Sequence, residues 1–122
     1  MNTHSLELKY ADKTIFSSNG KWLHPLFDLE VFLNKENYDP LKLTLYDKVI
    51  GKASALMIIR LGIRNVAGGT VSNPAKAAFK EWNVEYTIEN QVEYIDCKTE
   101  KLLIDISDPE EVYQIIKKRS GV

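Results

Sequence analysis

The stretch Tyr46-Asp47-Lys48-Val49-Ile50-Gly51-Lys52-Ala53-Ser54-Ala55 holds the residues best suited to chemistry. An apolar strand, Leu41 to Tyr46, is expected to end at Asp47, and an almost wholly apolar helix is expected from about Val49 to Leu61. Gly51 and Lys52 then fall in the first helical turn. Backbone N–H groups there lack helical acceptors, and the positive end of the helix dipole favours an anion. Asp47 at a strand end is where α/β folds place functional residues, and it is equally a helix-capping position. His24, before Pro25, has the chemistry of a general base and, beside Trp22 and Leu23, also that of a packing residue. Gly68-Gly69-Thr70, expected between a strand and a helix, offers either an anion cradle or plain turn geometry. The Gly-Lys pair lacks the fuller phosphate-loop pattern. Cys97 has no CxxC partner or neighbouring histidine and is read as a bystander.

These residues must be positioned by a chain of 122 residues, the size of one domain with one core, so a single domain over 1–122 is expected. The formal charge of −1 supplies no field that would recruit nucleic acid or an acidic membrane. One cysteine excludes an intramolecular disulfide and fits a reducing cytoplasm. No apolar run approaches the roughly 20 residues of a membrane span, and the N-terminus lacks a signal-peptide profile. Cytoplasmic localisation without membrane association is the expectation.

Period-two alternation at Leu6, Leu8 and Tyr10, then Thr14-Ile15-Phe16, predicts an N-terminal β-hairpin turning at Ala11-Asp12-Lys13. A first helix is expected over about Pro25 to Lys35, and Gly62 is expected to cap the helix after Gly51. Ile63 to Ala67 reads as a buried parallel strand. Ser72 or Asn73 with Pro74 starts a third helix that stops at Asn83, and Val84 to Glu89 reads as a strand with one wetter face, at a sheet edge. Leu102 to Ile106 is expected to add a strand. Asp108-Pro109-Glu110-Glu111 starts a C-terminal helix, whose Lys117-Lys118-Arg119 sits where cations offset the dipole.

The stretch from Gly51 through Gly62-Ile63 to Gly68, continued by Asn73 to Tyr86, resembles the cytidine deaminase-like superfamily. Gly20-Lys21-Trp22-Leu23-His24-Pro25 with Asp47 to Ala55 is similar to a small prokaryotic family within it, catalogued as a domain of unknown function. The resemblance implies a three-layer α-β-α sandwich, in the α/β class, with a mixed sheet and an N-terminal β-hairpin. It also implies that two helix N-termini converge, bringing Gly20, Lys21 and His24 near Asp47, Gly51, Lys52 and Ser54. The zinc deaminases need a His or Cys ligand, a glutamate two residues on, and Pro-Cys-x-x-Cys at a helix start. Here Ile50-Gly51-Lys52-Ala53-Ser54 stands in the last place, so zinc-dependent deamination is not expected, and neither a metal nor another cofactor is assigned.

The resulting expectation is a small anionic or nucleotide-like ligand at the paired helix starts, with Lys21, His24, Asp47, Gly51, Lys52 and Ser54 as binding candidates. Two alternatives stay open: a non-zinc enzyme acting on a nucleotide or related metabolite, and an interaction module with a vestigial site. A homodimer through an edge strand is a further open alternative.

Overall fold

The computed structural model describes residues 5–20, 23–35, 37–95, 103 and 105–120. Lys21, Trp22, Cys97, Leu102 and Ile104 lie outside the described residues, as do the readings attached to them.

Strands β1 (Leu6–Tyr10) and β2 (Lys13–Ser18) form the expected hairpin. Ala11 and Asp12 take positive φ values of 48° and 72°, the left-handed pair that a tight two-residue turn needs. Helix α1 (His24–Leu33) follows, then a 3-10 turn over Pro40–Lys42 whose amide at Leu41 is capped by Asp39. Strand β3 (Leu43–Ile50), helix α2 (Lys52–Arg60), strand β4 (Asn65–Ser72), helix α3 (Asn73–Glu81) and strand β5 (Glu85–Val92) complete two parallel crossovers. Helix α4 (Pro109–Ser120) closes the chain. The sheet is mixed and open, in the order β2-β1-β3-β4-β5: β1 is antiparallel to both neighbours, while β3, β4 and β5 run parallel.

Four expectations on the elements are corrected. The third strand begins at Leu43 because Pro40 opens a 3-10 turn, and it runs past Asp47 to Ile50, since Val49 and Ile50 pair with Thr70 and Val71. Helix α2 therefore starts at Lys52, with Gly51 as its N-cap. Gly68, Gly69 and Thr70 lie inside β4 rather than in a turn. In the segment expected to add a strand, Leu103 and Asp105 are turn residues, and the Ile106 N–H donates to Leu103 O at 3.0 Å.

Register explains which face of the sheet is covered. Leu6, Leu8, Leu43, Leu45 and Val66 are buried on one side. Lys9 pairs with Thr44, and Asn65 with Glu85, on the other side, where Lys9, Thr44, Glu85 and Thr87 are exposed. The helices join through α2, which packs with α1, α3 and α4. Among the described residues the expected sandwich is thus reduced to helices on one face and an uncovered polar face on the other. Lying between sheet and helices, α2 is buried from Ala53 to Ile58, which is why its apolar residues follow no single stripe. No helix among the described residues is long and apolar enough to cross a membrane.

One polar cluster ties three helices together. Arg60 at the end of α2 forms ion pairs with Glu30 of α1 and Glu110 of α4, and its guanidinium lies 3.5 Å from the ring centroid of Tyr113. The Tyr113 hydroxyl donates to Glu30 at 3.0 Å. Arg60→Ala is expected to cost about 1–2 kcal/mol, because the cation–π contact and the partly shielded ion pair with Glu30 are lost together, the exposed Glu110 adding little. The urea midpoint checks this; an unchanged midpoint would show that the cluster does not hold the helices.

Candidate functional site

Strand β3 delivers Asp47 to the start of α2, and the hairpin delivers Gly20 to the start of α1. Between them lies a pocket of about 320 Å³, lined by Gly20, Asp47, Gly51, Lys52, Ala53 and Ser54 together with an apolar wall of Leu23, Pro25, Leu26 and Ile95. Ser5, Lys48 and Val49 complete it. The volume is at the lower end of the range that holds small-molecule ligands.

The two helix starts contribute differently. In α2 the Ala55 N–H donates to Gly51 O at 3.0 Å, and Gly51 offers no side-chain cap, so the amides of Ala53 and Ser54 lie outside the helical ladder at the pocket wall. In α1 the position after His24 is Pro25, which has no N–H, and the Leu26 N–H is spent on Leu23 O at 3.1 Å. The α1 start is therefore chiefly an apolar surface. By contrast, α3 is capped by Ser72, whose hydroxyl accepts from the Ala75 amide at 3.2 Å, and the Glu110 amide at the start of α4 donates to Asp108 at 3.0 Å. A capped start has less to offer a ligand than the start of α2.

Asp47 is half-buried on the helix-covered side of β3. Loss of water around the carboxyl pushes its pKa up from an ordinary 3.8 to about 7, against the opposing pull of the Val49 and Lys48 backbone amides. Near neutrality Asp47 is thus able to donate as well as accept a hydrogen bond. Ser54 is 7% exposed, and its hydroxyl has no hydrogen-bond partner among the described residues. No fully enclosed side-chain polar atom among them lacks a partner, so the Ser54 hydroxyl opens on the pocket space that it lines. Lys52 lines the same pocket, but its ammonium donates to the Leu103 carbonyl at 2.6 Å, which fastens the segment before α4 to the start of α2.

Of the six residues singled out from sequence, Asp47, Gly51, Lys52 and Ser54 meet at this pocket. His24 occupies the first position of α1, is exposed, and is not among the lining residues. Lys21 is outside the described residues. The apolar wall of Leu23, Pro25 and Ile95 was not singled out as a site, because in sequence it reads as ordinary core. No cluster of three His, Cys, Asp or Glu side chains able to hold a metal ion occurs among the described residues.

Comparison with known proteins agrees with this fold. The profile of a domain of unknown function, DUF1893, matches residues 2–119. The crystal structure of TM1506, a DUF1893 family protein from Thermotoga maritima, superposes with a TM-score of 0.81 at 24% identity, covering 95% of this chain and 80% of that one. No curated protein matches the chain.

Proposed function

The chain belongs to the DUF1893 family, and from the pocket within that fold we propose that it binds a small anionic, nucleotide-like ligand. The observation that carries this reading is the start of α2, where the amides of Ala53 and Ser54 lie outside the helical ladder and open on a pocket of about 320 Å³. The anionic group sits at those amides, with Ser54 as a further donor. The less polar part of the ligand, a base or ribose, lies against Leu23, Pro25, Leu26 and Ile95, and Asp47 lines the polar side of the pocket with Ser54. The resemblance to the cytidine deaminase-like superfamily supports the same place, and the finer assignment of the fold to that superfamily forms part of this proposal. The open pocket weighs against an interaction module whose old site has closed over.

A second reading is favoured by one observation. A carboxyl held near pKa 7 beside a pocket is suited to acid–base catalysis, so a non-zinc enzyme using Asp47 on the bound metabolite is the alternative.

The test is a thermal-shift panel of nucleotides, nucleosides, ADP-ribose and phosphate on the wild type, Lys52→Ala and Ser54→Ala. Ligand at a hundredfold its dissociation constant adds about 2.7 kcal/mol. A shift in the wild type that shrinks in Ser54→Ala supports the proposal, and turnover of the stabilising compound supports the second reading. No shift with any compound sinks both.

A further inference from the structure

Three features share one cavity: the α2 amides, the Ser54 hydroxyl, and the Asp47 carboxyl. The first two are donors to an anion. A carboxylate is not, because like charges in a partly desolvated space repel. The charged side chains lining the cavity are Asp47, Lys48 and Lys52. Of these, Lys52 is directed to the Leu103 carbonyl, and Lys48 is exposed. On α1, His24 is exposed and outside the lining; on β1, Glu7 points to the opposite face of the sheet; on β4, the residue paired with Asp47 is Gly68. None of these groups, as placed, spares an ionised Asp47 from facing the ligand's charge.

Resting on the anion-binding reading above, we infer that the pocket takes up its anion together with one proton, held on Asp47, so that the Asp47 and Ser54 hydroxyls both donate to the ligand. The proton comes from solvent and adds to a carboxylate oxygen, and no other bond forms or breaks. The ligand class is an oxyanion presenting at least two acceptor oxygens, such as a phosphate or sulfate group. The raised pKa of Asp47 puts this uptake within reach at neutral pH, because part of the population is already protonated before binding. The site therefore reports acidity: it fills as pH falls and empties as pH rises.

Inorganic sulfate is the probe, since its charge is constant across the range. Its affinity is measured by NMR shift titration of the full chain at about pH 6 and about pH 8.5. With the free carboxyl titrating near 7 and the bound one well above it, wild-type affinity is expected to drop on the order of 30-fold between the two. Asp47→Asn, a permanently neutral donor, is expected to bind at both with less than about a threefold difference, while Ser54→Ala binds about tenfold more weakly and keeps the pH slope. Equal wild-type affinity at both values, or a slope retained in Asp47→Asn, overturns the proton uptake and leaves the anion site standing. Failure of sulfate and phosphate to bind at either pH overturns both.

Discussion

Gly69→Ala is expected to lower the melting temperature by roughly 10 °C, the effect of a loss of about 2–3 kcal/mol in a domain of this size. A β-carbon at Gly69 would lie 2.5 Å from the Lys48 carbonyl oxygen and 3.2 Å from both the carbonyl carbon and the Tyr46 hydroxyl. The obstruction is backbone in the neighbouring strand, so no rotamer change relieves it. The pairing of β3 with β4 steps from Asp47↔Gly68 to Val49↔Thr70, and Lys48 and Gly69 approach closely within that step. Relief would require moving β3 where it carries Asp47, so the substitution is expected to disturb the pocket as well as stability. Differential scanning calorimetry checks it; a fall of less than about 2 °C would mean that the strands part without cost.

Asp47→Asn is the second large effect, and its sign depends on pH. Asp47 has a folded pKa raised to about 7 from 3.8, so between those values the folded chain holds a proton that the unfolded chain has released. Stability from this group is complete below about pH 4, falls as pH rises, and is lost once pH passes 7. Three units correspond to about 4 kcal/mol, and partial exposure of the residue brings the expectation to roughly 2–4 kcal/mol. The asparagine variant carries no such penalty. It is expected to match the wild type near pH 4 and to melt roughly 10 °C higher near pH 8 without ligand. Equal or lower stability at pH 8 would show that the carboxyl is better hydrated than its surroundings imply.

The Gly69 effect arises where reading the sequence fell short, and the Asp47 effect at a residue that the sequence singled out without showing its burial. The hairpin, the Ser72 and Asp108 starts, and the Gly62 stop were legible because each depends on a few adjacent residues: φ at Gly62 is +84°, and Ser72 caps α3 as its spacing to Pro74 suggests. The lengths of β3 and β4 were not legible. Val49 is 46% exposed and apolar, so it reads as the start of the apolar helix, and two adjacent glycines read as a turn. Only the packed structure reveals that Gly69 lets the Lys48 carbonyl approach while Gly68 makes room for the Val71 and Ile50 side chains. The site was legible in its local part, Asp47 to Ser54. Its apolar wall was not, since Leu23 and Ile95 are brought to the pocket by contacts distant in sequence. The mixed α/β sheet was legible, but how its faces are covered was not: a buried, apolar α2 looks the same from sequence whether or not the opposite face of the sheet carries helices.

The place of β1 in the sheet also constrains how the molecule comes to exist. First of the described strands along the chain, it nevertheless lies inside the sheet, between β2 and β3. As the chain emerges, the hairpin of β1 and β2 can close at once, but Leu6 and Leu8 stay wet until β3 has been made and docks on the free side of β1. The hairpin alone is too small to persist in water. The growing chain therefore carries an unfinished strand edge until β3 is made at Leu43–Ile50, and closing that edge is a long-range pairing that must meet the entropy of closing the intervening loop.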